Sequence, residues 1–250
     1  EFGTEITELT NRFAWFGTTK RFETLTQTFR RTDLGRFNAH HYRYASGMST
    51  FIVEMDEATF EAGGFGTLPE DESRRLCERV FADELDGHPL ISNRSVWRRF
   101  PKIRNRRWSH GRYVLVGDAL RTAHFSIGSG TRLAMEDVIA LVDALAAQPA
   151  DVPAALAAYE AARRPVVDKL VAAADTSAGW YERFGEHMDL PPLDFAMSYV
   201  TRSGRVDPER LRAVSPAFCA AWEAERSAAS TPLADAVSDD CPGAREIGFS

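Results

Sequence analysis

The chain has 250 residues, 44% of them apolar and 26% charged, and a formal net charge of −6. That length can bury a core as one large domain or two small ones, and the acidic balance argues against general nucleic-acid binding. No run nears the roughly 18 apolar residues of a membrane span, the N-terminus lacks a signal-peptide pattern, and Cys77, Cys219 and Cys241 are far apart, odd in number and not in pairs of metal-ligand spacing, so a cytoplasmic protein is expected.

In chain order, residues 1–55 read mostly as strands. Phe13, Trp15 and Phe16 precede Gly17-Thr18, and 35–55 reads as two strands joined at Ala45-Ser46-Gly47, with Phe51, Ile52 and Val53 favouring the pleated state. Residues 68–85 read as a helix: Pro69 and the acids after it suit a helix start, and Leu76, Val80 and Phe81 share a face. His88-Pro89 ends it. An extended segment then runs to Trp108, crowded with Arg94, Arg98, Arg99, Lys102, Arg104, Arg106 and Arg107. It fits a solvated basic edge with Trp97, Phe100 and Ile103 inward, or a contact for a phosphate-bearing ligand or acidic partner. The apolar run Tyr113 to Val116 reads as a short strand covered on both faces. Residues 131–147 place Leu133, Ile139, Val142 and Ala146 at helical spacing, and the alanine-rich stretch after Asp151 reads as one long helix kinked near Pro165. Two or three shorter helices are expected over 191–225.

The fold class is therefore α+β. A β-rich region, 1–110, with a helix near 69–85, precedes a strand, loop and helix in 111–148. Helices fill 149–225, and 226–250 reads as a flexible tail.

The stretch from Val114 to Thr131, VLVGDALRTAHFSIGSGT, carries the chemistry. An apolar strand that stops at Gly117-Asp118 presents a carboxylate able to accept hydrogen bonds from ribose or ribityl hydroxyls. Ile127-Gly128-Ser129-Gly130 then enters a helix starting near Thr131. Glycines there admit close backbone approach, and the first amides of a helix suit an anion or a polarised carbonyl. Spacing alone leaves two readings open: a site for a polyol joined to an anionic group, or a turn in which Asp118 caps a neighbouring segment.

Residues 114–145 resemble the second flavin motif of FAD-dependent aromatic hydroxylases, the p-hydroxybenzoate hydroxylase-like group; 11–30 and 39–60 extend the likeness, which covers roughly 10–185. The resemblance implies that Gly117 and Asp118 meet the ribityl chain of FAD. Ile127, Gly128, Ser129, Gly130 and Thr131 would lie against the isoalloxazine, with the helix dipole facing its N1–C2=O edge. Two departures stand out: Leu120-Arg121 replaces the usual Ala-His, and Ser126 replaces the usual proline. The resemblance further implies NAD(P)H as reductant, O2, a flavin C4a-hydroperoxide, and a small aromatic substrate such as an aryl-CoA, an indole or a natural-product intermediate.

On the strand through Phe37–Tyr44, His40, Tyr42 and Tyr44 alternate onto one face and are candidate substrate contacts. His40 is also a candidate catalytic group, hydrogen-bonding or deprotonating the substrate, or else a histidine satisfied by a neighbour. His124, closer to the flavin motif, is the second catalytic candidate. Glu136-Asp137 is expected to cap or to pair with arginines, and no cluster has metal-ligand spacing. The family's Gly-x-Gly-x-x-Gly unit has no counterpart here, so the chain is read as the C-terminal portion of such an enzyme, with the Rossmann-type FAD domain in a missing N-terminal segment or a partner chain. The alternatives are a non-catalytic binding module that completes a flavin site only with another chain, and a helical interaction domain.

Overall fold

A five-stranded antiparallel sheet in the order β3-β4-β5-β2-β6 organises the first part of the chain, in a computed structural model that describes residues 1–230. Its strands are β2 (Arg12–Thr18), β3 (Thr26–Thr32), β4 (Gly35–Ala45), β5 (Met48–Met55) and β6 (Leu90–Ile91); β1 (Thr4–Glu8) lies apart and pairs with β7 (Pro101–Asn105). The β4–β5 turn falls at Ser46-Gly47, as the turn residues predict.

Register decides which side chains share a face. Trp15 lies opposite Ile52, and Ile52 opposite His40; Phe16 lies opposite Phe51, and Phe51 opposite His41. One face therefore gathers Ala14, Phe16, Phe37, Ala39, Phe51, Val53 and Met55, all buried. It packs under α1 (Glu57–Ala62), α2 (Glu70–Val80) and α3 (Ala82–Leu85), which contribute Phe60, Cys77 and Leu85, with Phe81 from the α2–α3 junction. Each such large side chain contributes about 1.5–3 kcal/mol on burial. The other face presents Phe13, Trp15, Asn38, His40, Tyr42 and Glu54 towards the second half of the chain.

That half begins with the hairpin β8 (Ser109–His110) and β9 (Tyr113–Val114), then α4 (Gly117–Leu120), a 3-10 turn (Phe125–Ile127), α5 (Gly130–Ala147) and α6 (Val152–Tyr181). Helices α5 and α6 pack around Trp108, Leu133, Tyr159 and Val167. α7 (Phe184–His187) and α8 (Pro192–Thr201) follow, then α9 (Pro208–Val214) and α10 (Pro216–Ser230), the last three sharing a small core of Met197, Leu211 and Cys219.

Several sequence expectations change. The run Tyr113 to Val116 is not a buried strand: only Tyr113 and Val114 pair, with the short β8, and Tyr113 is 73% exposed. An apolar run reads as an inner strand only where strands flank it on both sides, and among the described residues only the two-residue β8 lies beside it. On α5 the inward residues are Leu133, Asp137, Leu141 and Ala144, whereas Ile139 (60% exposed), Val142 and Ala146 face out. The helix has two apolar sides, and periodicity does not say which one meets a partner. Residues 68–85 form two helices that break at Phe81, whose buried ring anchors the junction, and Pro165 lies inside the continuous helix α6, as expected. Of the expected tail, 226–230 continue α10; the remainder lies outside the described residues.

Candidate active site

Gly117 is a glycine for two physical reasons. Its φ is +58°, and a Cβ there would sit 3.2 Å from the Ala134 Cβ of α5. This fit seats α4 directly against α5. Asp118 therefore stands in the first turn of α4 and not at a strand end. It is exposed, and its carboxylate meets no donor and caps nothing among the described residues. It lines a groove of about 570 Å³ with Phe13, Trp97, Arg98, Phe100 and Thr122. The basic segment reaches this groove because Phe13 and Arg98 exchange backbone hydrogen bonds of 2.9 and 3.0 Å along the edge of β2.

Three residues on, Arg121 locks the loop from behind. It is 6% exposed, its Nη1 lies 2.7 Å from the Asp137 carboxylate, and it donates to the Gly117 carbonyl at 3.3 Å. The guanidinium also lies over the Trp108 ring, at 5.8 Å. Arg163 of α6 holds Asp137 (3.1 Å) and Glu136 (2.9 Å), so the acid pair is occupied with arginines, one of the two roles expected from sequence. Arg121, placed where the resembled family has histidine, thus ties the Gly117 loop to α5 and, through Asp137, to α6.

The glycine turn is held from the opposite side. Arg202, following α8, donates to the Ser126 carbonyl at 2.9 Å, and the Ser126 and Ser177 hydroxyls lie 2.8 Å apart. Gly128 takes φ +61°, and a Cβ on Gly128 or Gly130 would meet nothing within 4 Å. Ser129, at the N-cap of α5, directs its hydroxyl to the Ile127 carbonyl (3.2 Å) and leaves the helix start without a side-chain cap. The first amides of an 18-residue helix, Thr131 among them, thus lack side-chain acceptors beside an open, Cβ-free surface. A flat group carrying negative charge fits that surface.

Between turn and sheet lies an aromatic cluster. The Phe125 ring is 5.0 Å from Phe13, 5.6 Å from His40 and 4.3 Å from His124; His124 also meets Phe100 at 4.8 Å. His40 and Tyr42 share the predicted face with parallel rings 6.4 Å apart. Tyr44 does not join them: a register shift between Arg43 and Ala45 carries it outward, 61% exposed, onto a second groove of about 710 Å³. Burial, with smaller effects from His41 and the Arg202 charge, lowers His40 to about 4. Burial dominates again at His124 and lowers it to about 3. Both imidazoles are neutral at pH 7. Beneath them Glu54 is fully enclosed. Burial pushes its carboxyl up to about 7, opposed in part by Asn11, whose Nδ2 donates to Oε1 at 2.9 Å.

Sequence reasoning missed Phe13, Trp15, Phe100, Phe125, Arg202 and Glu54. Alternation on β2 separates Phe13 and Trp15 from Phe16, but only the strand pairing shows that they share a face with His40. Arg202 and Phe100 come from distant segments and leave no local signal.

A free carboxylate, an uncapped helix start behind open glycines and an adjoining aromatic sheet face are compatible with a flavin-binding class of protein, and the FAD binding domain family matches residues 68–174. The chain is similar to FAD-dependent aromatic monooxygenases. It is 38% identical over 213 residues to salicyloyl-CoA 5-hydroxylase of a Streptomyces species, covering 81% of this chain and 41% of that protein. It is 38% identical to protodeoxyviolaceinate monooxygenase of Chromobacterium violaceum (79% and 53% covered). To 3-hydroxy-4-methyl-anthranilyl-[aryl-carrier protein] 5-monooxygenase of Streptosporangium sibiricum it is 41% identical (82% and 54%). The chain thus spans about half the length of the curated relatives it matches. Its fold is similar to that of Pseudomonas aeruginosa PqsL, with a TM-score of 0.55 at 19% identity, covering 79% of this chain and 53% of that one.

Proposed function

We propose that this chain supplies the substrate sheet and the ring-facing turn of an FAD- and NAD(P)H-dependent monooxygenase that hydroxylates an aromatic substrate. The observation that carries the reading is the uncapped N-terminus of α5 behind Gly128 and Gly130, set beside the Phe125–His40 aromatic face. When bound, FAD reduced by NAD(P)H and reacted with O2 supplies the oxygen atom. Asp118 would accept hydrogen bonds from the ribityl hydroxyls, and Ile127 to Thr131 would hold the flavin ring, with the N-terminus of α5 favouring negative charge there. Phe13, Phe125 and Phe100 exclude water. His40, neutral and half-buried, acts as a hydrogen-bond partner that orients a substrate hydroxyl or N–H, because an imidazole titrating near 4 is a weak base at pH 7. His124 shapes the wall next to the turn.

The substrate is an aromatic group of the kind named for the relatives: an aryl thioester, an indole-derived compound or a related natural-product intermediate. The FAD site is completed by a segment outside this chain. Met135, Val138, Ile139 and Val142 make an exposed apolar strip along α5, and that strip supports such a neighbour. Cys77 and Cys219 are buried free thiols, which supports a reducing, cytoplasmic setting.

The test is the visible spectrum of the native polypeptide that contains this chain, followed by NAD(P)H consumption on adding aromatic substrates. Flavin absorbance with substrate-stimulated NAD(P)H oxidation is the expected result. A colourless native protein that gains no flavin absorbance with added FAD refutes the reading and leaves a non-catalytic module.

A further inference from the structure

The fold sorts the cations of the segment Arg94 to Arg107 into two groups. Arg99 is paired with Glu57; Lys102 and Arg104 share Asp175, at 3.3 and 2.9 Å; Arg106 meets Glu5 at 3.0 Å. Arg107 donates to the Glu1 carbonyl. Arg94 and Arg98 meet no carboxylate among the described residues, although the protein carries a net charge of −6. These two line the same groove, the one of about 710 Å³ that also holds Trp15, Tyr44, Ile91 and Val96. Arg98 and Phe13 line the Asp118 groove as well, so the two grooves share a wall.

Arg94 is also held in place by its backbone. Its φ of +56° lies in the left-handed region, which side-chain-bearing residues seldom occupy. A small hydrogen-bonded loop fixes it: Ser95 N donates to Ser92 Oγ, Asn93 N donates to Ser95 Oγ (both 3.3 Å), and Ser95 Oγ donates to the Trp15 carbonyl at 2.5 Å. The arginine is thereby set at the groove beside β2. Strain of this kind, pinned by surrounding hydrogen bonds, marks binding loops.

We propose that this outer groove binds a phosphate-bearing arm of the aromatic substrate, with Arg94 and Arg98 holding the phosphate oxygens and Tyr44, Met48, Ile91 and Val96 covering the aliphatic stem. The proposal rests on the monooxygenase reading, which puts the aromatic end of the substrate near Phe13 and Phe125. Three features select this ligand. The groove alone has the volume of a site for a drug-sized molecule, well beyond a single ring. Unpaired guanidinium forks match phosphate oxygens in number and geometry. The same groove is also lined by Tyr44, Met48, Ile91 and Val96, apolar surface that an aliphatic stem can cover. The arm is either part of a soluble nucleotide thioester or borne by a carrier protein; the phosphate is common to both.

The experiment is calorimetric binding to the purified chain, without flavin, of four probes: benzoyl-coenzyme A, benzoyl-4′-phosphopantetheine, benzoyl-pantetheine and benzoate. Both phosphate-bearing probes are expected to bind at least about tenfold more tightly than benzoyl-pantetheine. Arg94→Ala and Arg98→Ala each remove most of that advantage and leave benzoyl-pantetheine unchanged, whereas Arg94→Lys retains part of it. Equal affinity for both phosphate probes assigns recognition to the arm alone, as for a carrier-borne substrate; a further gain with coenzyme A assigns it to the nucleotide thioester. Equal affinity of benzoyl-pantetheine and benzoyl-coenzyme A, no binding of any probe, or wild-type affinity in both alanine variants overturns the proposal. Because no flavin is present, these outcomes are independent of the spectrum that tests the monooxygenase reading.

Discussion

Replacing Arg121 with methionine keeps the length of the side chain and removes the guanidinium from a wholly enclosed acid. Asp137 has 0% side-chain exposure, and its two cationic neighbours are Arg121 at 2.7 Å and Arg163 at 3.1 Å. Removing one partner of a buried pair costs about 3–5 kcal/mol, because the other charge stays buried. Arg163 remains, so the lower end, about 3 kcal/mol, is expected. For a chain of this size that corresponds to a fall in Tm of about 6–12 °C. Thermal unfolding followed by circular dichroism measures it, and a double-mutant cycle with Asp137→Asn isolates the pair: the double variant is expected to be less destabilised than the sum of the single ones. A loss below about 1 kcal/mol, or strict additivity, would show that the Gly117 loop is not fastened through this pair.

Three further outcomes follow from the same geometry. In the complete flavoprotein, Asp118→Ala is expected to weaken FAD about 10- to 100-fold, the value of a charge-assisted hydrogen bond, with unchanged Tm of the apoprotein; unchanged FAD affinity by fluorescence titration would show that the ribityl contact lies elsewhere. Glu54 is protonated more readily in the folded state (about 7) than in the unfolded one (4.5), so the stability it confers is complete below pH 4.5 and is lost as pH rises towards 7. Denaturant unfolding should therefore show Glu54→Gln gaining about 3 kcal/mol relative to wild type between pH 4.5 and pH 8, and a pH-independent difference refutes the assignment. His40 and His124 shift the other way: with folded values of about 4 and 3, they favour the folded state at neutral pH and withdraw that support as pH falls below 6.5. His40→Gln is expected to reduce this acid loss by up to about 1.4 kcal/mol per pH unit between 6.5 and 4, read from the same titrations; an unaltered acid limb would count against it.

How much of this was legible in the sequence depends on whether a feature is local. Alternation along β4 separates His40 and Tyr42 from His41 without any structure, because strand geometry alone imposes it. Tyr44 escapes the rule through a register shift that depends on how β5 pairs with its neighbour. The start of α5 was visible in Gly128-Ser129-Gly130, since glycine and a small polar residue act on their own backbone. The inward face of α5 was not visible, because choosing Leu133 and Leu141 over Ile139 and Val142 is the work of α6. Asp118 is read as a strand-end carboxylate that meets a ligand or caps a neighbouring segment, and it stands instead in α4, because Val114-Leu115-Val116 looks equally apolar inside a sheet and along a surface. The basic segment was read as a unit, yet its arginines divide by which acids the fold brings to them. Glu57, Asp175 and Glu5 are distant in sequence, so no window of residues reveals that Arg94 and Arg98 are left over.

The clamp on the glycine turn also bears on the order in which the molecule assembles. Arg202 reaches the Ser126 carbonyl across 76 residues of chain, and Ser177 reaches the same residue across 51. Contacts so distant in sequence form late, after the loop between them has closed. On a chain emerging from the ribosome, β3, β4 and β5 pair through short hairpin connections, while the turn from Phe125 to Gly130 waits for α6 and then α8 to be synthesised and docked. The turn from Phe125 to Gly130 is thus set after its own flanking segments, and a chain interrupted before Arg202 would carry the paired β3–β5 hairpins beside a turn still free to sample other conformations.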